Sequence, residues 1–316
     1  MKKISIFTPC YNEEGNIIEL YNQVTETMKL LSNYDYEYIF IDNKSTDNTR
    51  NILRNLAEKD KRVKVIFNLR NYGPDRSGIY GFLQTTGDVS ICLAADLQDP
   101  PQLIPEFIKS WESGYKVVWG QKSKSKENKL MYFIRSLYYC IIGMFSKNKQ
   151  YKHVTGFGLY DKEVMRKIRE TNDSEPLLRY LITEFGYEVK LIQYEQPRRQ
   201  SGNSHYNFAK YFDTAISSLI STSRFPLRLV TYIGIICSLI SFCIAIFYLV
   251  MKLIHWKHFT LGTAPILIGI FMLGGIQILS IGIIGEYLSE VLDRVIKRPR
   301  VIEEERINFE EEFIEK

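Results

Sequence analysis

Asp96, Gln98 and Asp99 sit together in the stretch ADLQDPPQ, at the end of the apolar run VSICLAA. Carboxylate and amide oxygens so close together suit a hard divalent cation such as Mg2+ or Mn2+. Such a cation keeps several waters and takes ligand phosphates as well. Held there, it would neutralise a diphosphate leaving group as a Lewis acid. The same residues also read as a helix start, with Asp99 as the cap and Pro100 and Pro101 opening the first turn. Two further polar stretches follow other apolar runs. ISIFTP leads into CYNEE, which holds Tyr11 and Glu13, and YEYIFID ends at Asp42 before NKSTDNT.

Elements of regular structure must hold these stretches. ISIFTP, YEYIFID, VKVIF, VSICLAA and KVVWG read as short strands, rich in β-branched and aromatic residues. EGNIIELYNQVTETMKLL, TDNTRNILRNLAEKD and PQLIPEFIKSWES read as the helices among them. This alternation predicts an α/β domain with a mostly parallel sheet and helices on both faces. Ligands of such sheets bind beyond the carboxyl ends of the strands, where the polar stretches fall. Neither GxGxxG nor GxxxxGK[ST] occurs, which argues against an ordinary Rossmann or P-loop phosphate site.

The chain of 316 residues is long enough for such a core and a second module. A net charge of +5 is too mild for a nucleic-acid coat, and no nucleic-acid partner is expected. Five cysteines form no CxxC pair and read as buried free thiols. The N-terminus lacks the apolar stretch of a signal peptide. Leu229 to Met251 and Phe259 to Gly285 carry no charge. Each is long enough to cross a bilayer core of about 30 Å, although two buried core helices would also fit. Arg224, Arg228, Arg294, Lys297, Arg298 and Arg300 flank the pair, which predicts a transmembrane hairpin with both ends in the cytosol. LMYFIRSLYYCIIGMF and NFAKYFDTAISSLISTSRF carry apolar stripes that suit interfacial helices or an ordinary core.

Taken together, the residues resemble the polyprenyl-phosphate branch of the family-2, GT-A-fold glycosyltransferases. That branch includes dolichol-phosphate mannose synthases and bacterial undecaprenyl-phosphate glucosyltransferases. TPCYNEEGNI matches the family's P-x-Y-N-E opening, and FIDNKSTDNT resembles V-D-D-G-S-x-D-x-T. RNYG and TTGD resemble the segments before the fourth strand, and ADLQDPP resembles the metal motif. RQSGNSHY resembles R-x-x-G-x-S-K-Y, and the apolar pair ending in KRPR fits as well.

The resemblance implies that Pro9, Tyr11, Glu13 and Asp42 hold the nucleotide base and ribose. It places Asp96 and Gln98 on Mg2+ or Mn2+, Lys122 near the diphosphate, and Arg199 and His205 on a loop closing over the phosphates. Asp96, Asp99 and Arg199 form the expected catalytic group. The implied donor is a UDP-sugar, with glucose as the first guess and a GDP-sugar left open. The implied acceptor is polyprenyl phosphate. The implied reaction is inverting transfer of a hexose at the cytosolic face of the inner or plasma membrane. A non-catalytic membrane adaptor or flippase partner of the same fold is the alternative, and homo-oligomerisation is left open.

The expected layout is a GT-A catalytic domain over residues 1–205, with an interfacial helix near 129–146. An amphipathic helix over 206–226, two transmembrane helices over 227–296 and a cytosolic tail over 297–316 complete it. Three positions depart from the family pattern. Ala94 replaces an acidic residue two positions before the metal aspartate, Gly156 an aspartate proposed as base, and His205 the loop lysine.

Overall fold

The computed structural model describes residues 1–123, 151, 154–171, 178–197, 263–295 and 299–309, with scattered positions between 232 and 254. Arg199, His205 and the two expected amphipathic helices at 129–146 and 206–226 lie outside these residues. The chain divides into two compact units. One comprises Met1–Tyr139, Asn148–His205 and Lys297–Lys316, and the other Cys140–Lys147 and Tyr206–Ile296.

The first unit is built on one sheet. Its strands are β1 (Lys3–Cys10), β2 (Asp35–Asp42), β3 (Val63–Asn68), β4 (Val89–Cys92), β5 (Val117–Lys122), β6 (Val154–Asp161), β7 (Val189–Tyr194) and β8 (Glu303–Ile307). The helices are α1 (Ile17–Lys29), α2 (Thr49–Lys59), α3 (Pro74–Leu83), α4 (Ile104–Glu112), α5 (Lys162–Glu170) and α6 (Leu178–Glu184). The strand order is β7-β5-β6-β4-β1-β2-β3-β8. β1 pairs in parallel with β2 on one side and β4 on the other. β6 runs antiparallel between β4 and β5, so β4 and β5 point the same way.

Both faces of the sheet are covered, so its central strands are apolar almost throughout. Successive side chains alternate between two cores. Ile4, Ile6, Tyr38, Phe40 and Val65 join the core that includes Ile17, Leu20, Val24 and Met28 of α1 and Leu53 of α2. Phe7, Ile39, Ile41 and Ile66 join the other, with Phe82 of α3 and Val164, Met165 and Ile168 of α5. The spacing of the buried residues on α1 is that of one helical face. At Gly81 in α3, a Cβ would come within 2.5 Å of the Phe7 ring, so the close approach of helix to sheet requires glycine.

Several expectations change. β4 stops at Cys92 rather than running through Ala95. The tail is not free, because β8 adds to the sheet antiparallel to β3. The four described cysteines are free thiols, but only Cys10 is buried and Cys243 is exposed. The transmembrane hairpin and integral membrane placement are overturned: among the described residues no helix is long and apolar enough to cross a membrane. The helix α7 (Thr263–Val295) does not end with the apolar segment at Gly285. It runs on through Glu286, Glu290, Asp293 and Arg294, and it contains Gln277, Ser280 and five glycines.

The amino-terminal edge of the sheet is tied by Glu37, which is 2% exposed. It accepts hydrogen bonds from Lys3 and Lys64 at 2.8 Å each, from Thr86 N at 2.9 Å and from the Ser5 hydroxyl. Burial alone would raise its pKa, but these donors outweigh burial and hold the carboxyl at about 2. A depressed folded-state pKa stabilises the fold above the unfolded value and loses that contribution as pH falls through the folded one. Glu37→Gln should therefore cost about 3 kcal/mol at neutral pH, since it leaves two ammonium groups short of a partner. The wild-type advantage should fade between about pH 4.5 and about pH 2. Denaturant unfolding of both proteins across that range checks this.

Candidate functional site

Two loops at the carboxyl edge hold each other in place. Asn12 and Lys44 take left-handed backbone conformations, with φ of 55° and 65°. Asn tolerates this region better than most residues. Asn12 N donates to Ser45 Oγ at 2.9 Å, and Thr46 N donates to Asn12 Oδ1 at 2.8 Å. Glu13 N donates to Thr49 Oγ1 at 2.9 Å, and Asn48 N to Glu14 Oε2 at 2.8 Å. The CYNEE and NKSTDNT stretches are thus one structure. Pro9, Tyr11 and Glu13 lie half-buried within it.

Asp42 ends β2 beneath these loops and is fully buried. Its two oxygens accept from Ser45 N at 3.2 and 3.1 Å, and Arg50 Nε lies 3.5 Å from Oδ2. Burial pushes its pKa up, and the Ser45 bonds and the Arg50 charge only partly offset this. Asp42 therefore braces the loop that carries Ser45. Asn43, next in sequence, accepts from Asn68 Nδ2 at 3.1 Å and Tyr72 N at 2.9 Å, fastening the RNYG turn to the same edge.

The third loop follows β4. Asp99 closes it: Oδ2 accepts from Ala94 N at 3.1 Å and Oδ1 from the Tyr194 hydroxyl at 3.0 Å. Asp99 is 6% exposed, and burial pushes its pKa up to about 6 against those two bonds and the nearby Lys122 charge. The expected helix cap is not what it makes, since its bonds run backward along the loop and across to β7. Between the tie points, Leu97 has φ of 60°, a conformation that costs a non-glycine residue about 1–2 kcal/mol. Asp96 Oδ1 accepts from Gln98 N at 3.2 Å. Asp96 and Gln98 are both half-buried.

These donors fit a hard cation. Asp96 has an oxygen to spare, Gln98 adds an amide oxygen, and both lie at the strand end where phosphates would come. Among the described residues no group of three or more His, Cys, Asp or Glu is placed to hold a metal. A sparse oxygen set of this kind suits Mg2+ or Mn2+, which fill the remaining positions with water and substrate oxygens.

Lys122 at the end of β5 and Tyr194 at the end of β7 fall on the same edge, because these strands pair in parallel. Gly156, near the start of β6, also lies there, with φ of 100°. An aspartate at that position would be strained whatever the space. Asp161, the next carboxylate, lies at the opposite edge, paired in register with Val89. It caps α5 by accepting from Glu163 N at 2.8 Å, and it accepts from Trp111 Nε1 at 2.7 Å. Sequence reasoning missed Tyr194, Asn43 and Asn68. A tyrosine at the end of a short strand and asparagines in turns carry no signal of long-range partners.

The mostly parallel sheet, with β6 antiparallel between β4 and β5, is that of the GT-A fold. Residues 5–169 match the model of Glycosyl transferase family 2, and the chain belongs to that family; it is a glycosyltransferase. It is 31% identical to an uncharacterized glycosyltransferase of Synechocystis over 298 residues, covering 94% of this chain and 93% of that protein. It is 31% identical to the bactoprenol glucosyl transferase of Shigella phage SfX over 301 residues, covering 95% of this chain and 98% of that protein. It is also 31% identical to the SfII prophage-derived bactoprenol glucosyl transferase of Shigella flexneri over 301 residues, covering 95% of this chain and 97% of that protein. A solved glucosyl-3-phosphoglycerate synthase of Mycobacterium tuberculosis, in complex with Mn2+, UDP and phosphoglyceric acid, is 16% identical with a TM-score of 0.46, covering 70% of this chain and 78% of that one.

Asp161→Ala should leave sugar transfer within about twofold while lowering stability by about 1–2 kcal/mol, the usual cost of a lost cap. Thermal unfolding beside a transfer assay checks both halves. Loss of transfer by orders of magnitude in a folded variant would make Asp161 the base.

Proposed function

We infer that this enzyme transfers a hexose, glucose first, from a UDP-sugar to polyprenyl phosphate, with inversion at the anomeric carbon. The observation that carries this is the convergence of Tyr11, Glu13, Asp96, Gln98 and Lys122 at the carboxyl ends of β1, β4 and β5. The names of the phage and prophage relatives, bactoprenol glucosyl transferases, support the choice of sugar and acceptor.

Pro9, Tyr11 and Glu13 take the base and ribose, with Asp42 bracing their loop from below. Asp96 and Gln98 hold Mg2+ or Mn2+, whose chemistry when bound is to neutralise charge on the diphosphate. Lys122 lies near that diphosphate, and the resemblance to the family assigns Arg199 and His205 to the phosphates as well. A phosphate monoester has its second pKa near about 6 and is largely dianionic at pH 7. Its oxygen attacks the anomeric carbon directly. The bond to the diphosphate oxygen breaks, and that oxygen leaves as part of UDP. No protein base need remove a proton, which accords with Gly156. The protein contributes positioning and charge stabilisation.

The test is radiolabel transfer from a panel of nucleotide hexoses to polyprenyl phosphate. Asp96→Asn and Gln98→Ala should each keep the fold, and Asp96→Asn should lower turnover by about 10²–10³-fold, as for loss of one charge-stabilising group. EDTA should abolish transfer, and Mg2+ or Mn2+ should restore it. Normal turnover in EDTA would remove the cation from the mechanism.

A further inference from the structure

β8 meets β3 with an irregularity. Phe67 lies opposite Glu305 and Asn68 opposite Glu303, so Glu304 has no residue across from it. Bulges of this kind re-aim a side chain. Glu304 Oε2 accepts from Lys44 Nζ at 2.7 Å and from Arg50 Nη2 at 2.9 Å. Lys44 belongs to the loop after β2, and Arg50 to the first turn of α2. The Arg50 guanidinium also lies 4.8 Å from the Phe67 ring centre. Its Nε is buried without a hydrogen bond, 3.5 Å from Asp42 Oδ2. Arg50 is thus shared between a carboxylate from the C-terminal strand and one under the site. From Asp42 the contacts continue through Ser45 N, and Ser45 Oγ in turn accepts from Asn12 N.

We propose that Glu304 is a positioning residue for the nucleotide end of the site. It holds Arg50 in ion-pair range of Asp42 without a hydrogen bond, and so fixes the loops that carry Ser45, Asn12 and Tyr11. Without it, Arg50 closes on Asp42 and competes with Ser45 N for the same oxygens. The C-terminal strand then completes the donor site, though it follows the rest of the sheet by more than a hundred residues of chain. This rests on the assignment of Tyr11 and its neighbours to the nucleotide. Glu305 supplies an internal control, because it pairs with Arg54 at 2.6 Å and that arginine is not bonded to Asp42. Both strand carboxylates are part-exposed, so loss of the two Glu304 pairs or the one Glu305 pair alters stability little.

The experiment is titration of the full-length protein with UDP and Mg2+, beside steady-state transfer kinetics. Glu304→Gln should weaken UDP binding about 3- to 10-fold, in the lower part of the range for coupled neighbours. It should raise the donor KM by a similar factor, with kcat within about twofold. Glu304→Asp should restore much of the affinity, and Glu305→Gln should leave it unchanged. Equal losses in Glu304→Gln and Glu305→Gln would reduce β8 to a structural strand and overturn the proposal. So would unchanged affinity in Glu304→Gln where Tyr11→Ala binds UDP tenfold or more weakly. If Tyr11→Ala binds UDP normally, the nucleotide assignment itself fails and the proposal falls with it.

Discussion

The site depends on β1 pairing in parallel with β2 on one side and β4 on the other. The chain leaves β1 at the point where the order of strands reverses, and the loops beyond the neighbouring strands open onto one edge. Hydrogen bonds between the first two loops, through Asn12, Ser45, Glu14 and Asn48, convert that adjacency into a fixed surface. The left-handed conformations at Asn12 and Lys44 are held by it, and that at Leu97 by the Asp99 bonds of the third loop. Strain of this kind persists where the surroundings over-determine the backbone, commonly at functional sites.

Carboxylates at the two ends of the sheet differ in the number of cations they meet. Glu37 at the amino edge has two ammonium groups within hydrogen-bond reach and stays ionised far below neutrality. Asp42 and Asp99 at the carboxyl edge are also buried, but each relies mainly on backbone N–H or hydroxyl donors, and their pKa values rise. Two ammonium groups thus bond Glu37 directly, whereas the cations near Asp42 and Asp99, Arg50 and Lys122, do not outweigh burial. An incoming diphosphate and its cation would add charges of both signs at that second edge.

Much of this was legible in the chain. Strands β1, β2, β3 and β5 and helices α1, α2 and α4 follow the expected stretches closely, because sustained apolar periodicity is a local property. Asp96 does follow a strand, but that strand ends at Cys92, four residues earlier. α3 was not foreseen, since PDRSGIYGFL holds two glycines and its clearest helix signal is Pro74 at the start. β8 was read as part of the cytosolic tail over 297–316. EEERI has no alternation to mark a strand, and its pairing is sustained by Lys44, Arg50 and Arg54 far away in sequence. The apolar segments misled differently, because an uncharged run shows length but not where its helix begins and ends.

The departures at Ala94 and Gly156 look like losses when side chains alone are compared. In the fold, both positions act through the backbone. Ala94 supplies the N–H that anchors Asp99, and this bond needs no acidic side chain. Gly156 supplies a positive φ at the start of β6, and its carbonyl accepts from the Tyr160 hydroxyl at 3.0 Å. Tyr160 is buried and also accepts from Trp119 Nε1 at 3.0 Å, so the glycine is tied into the core beneath the site. Restoring an aspartate there would impose a left-handed L-residue on that tie. A nucleophile that arrives already ionised makes such a carboxylate unnecessary, and its charge would oppose an incoming phosphate dianion. The two substitutions that most suggested a silenced enzyme are therefore compatible with an intact one.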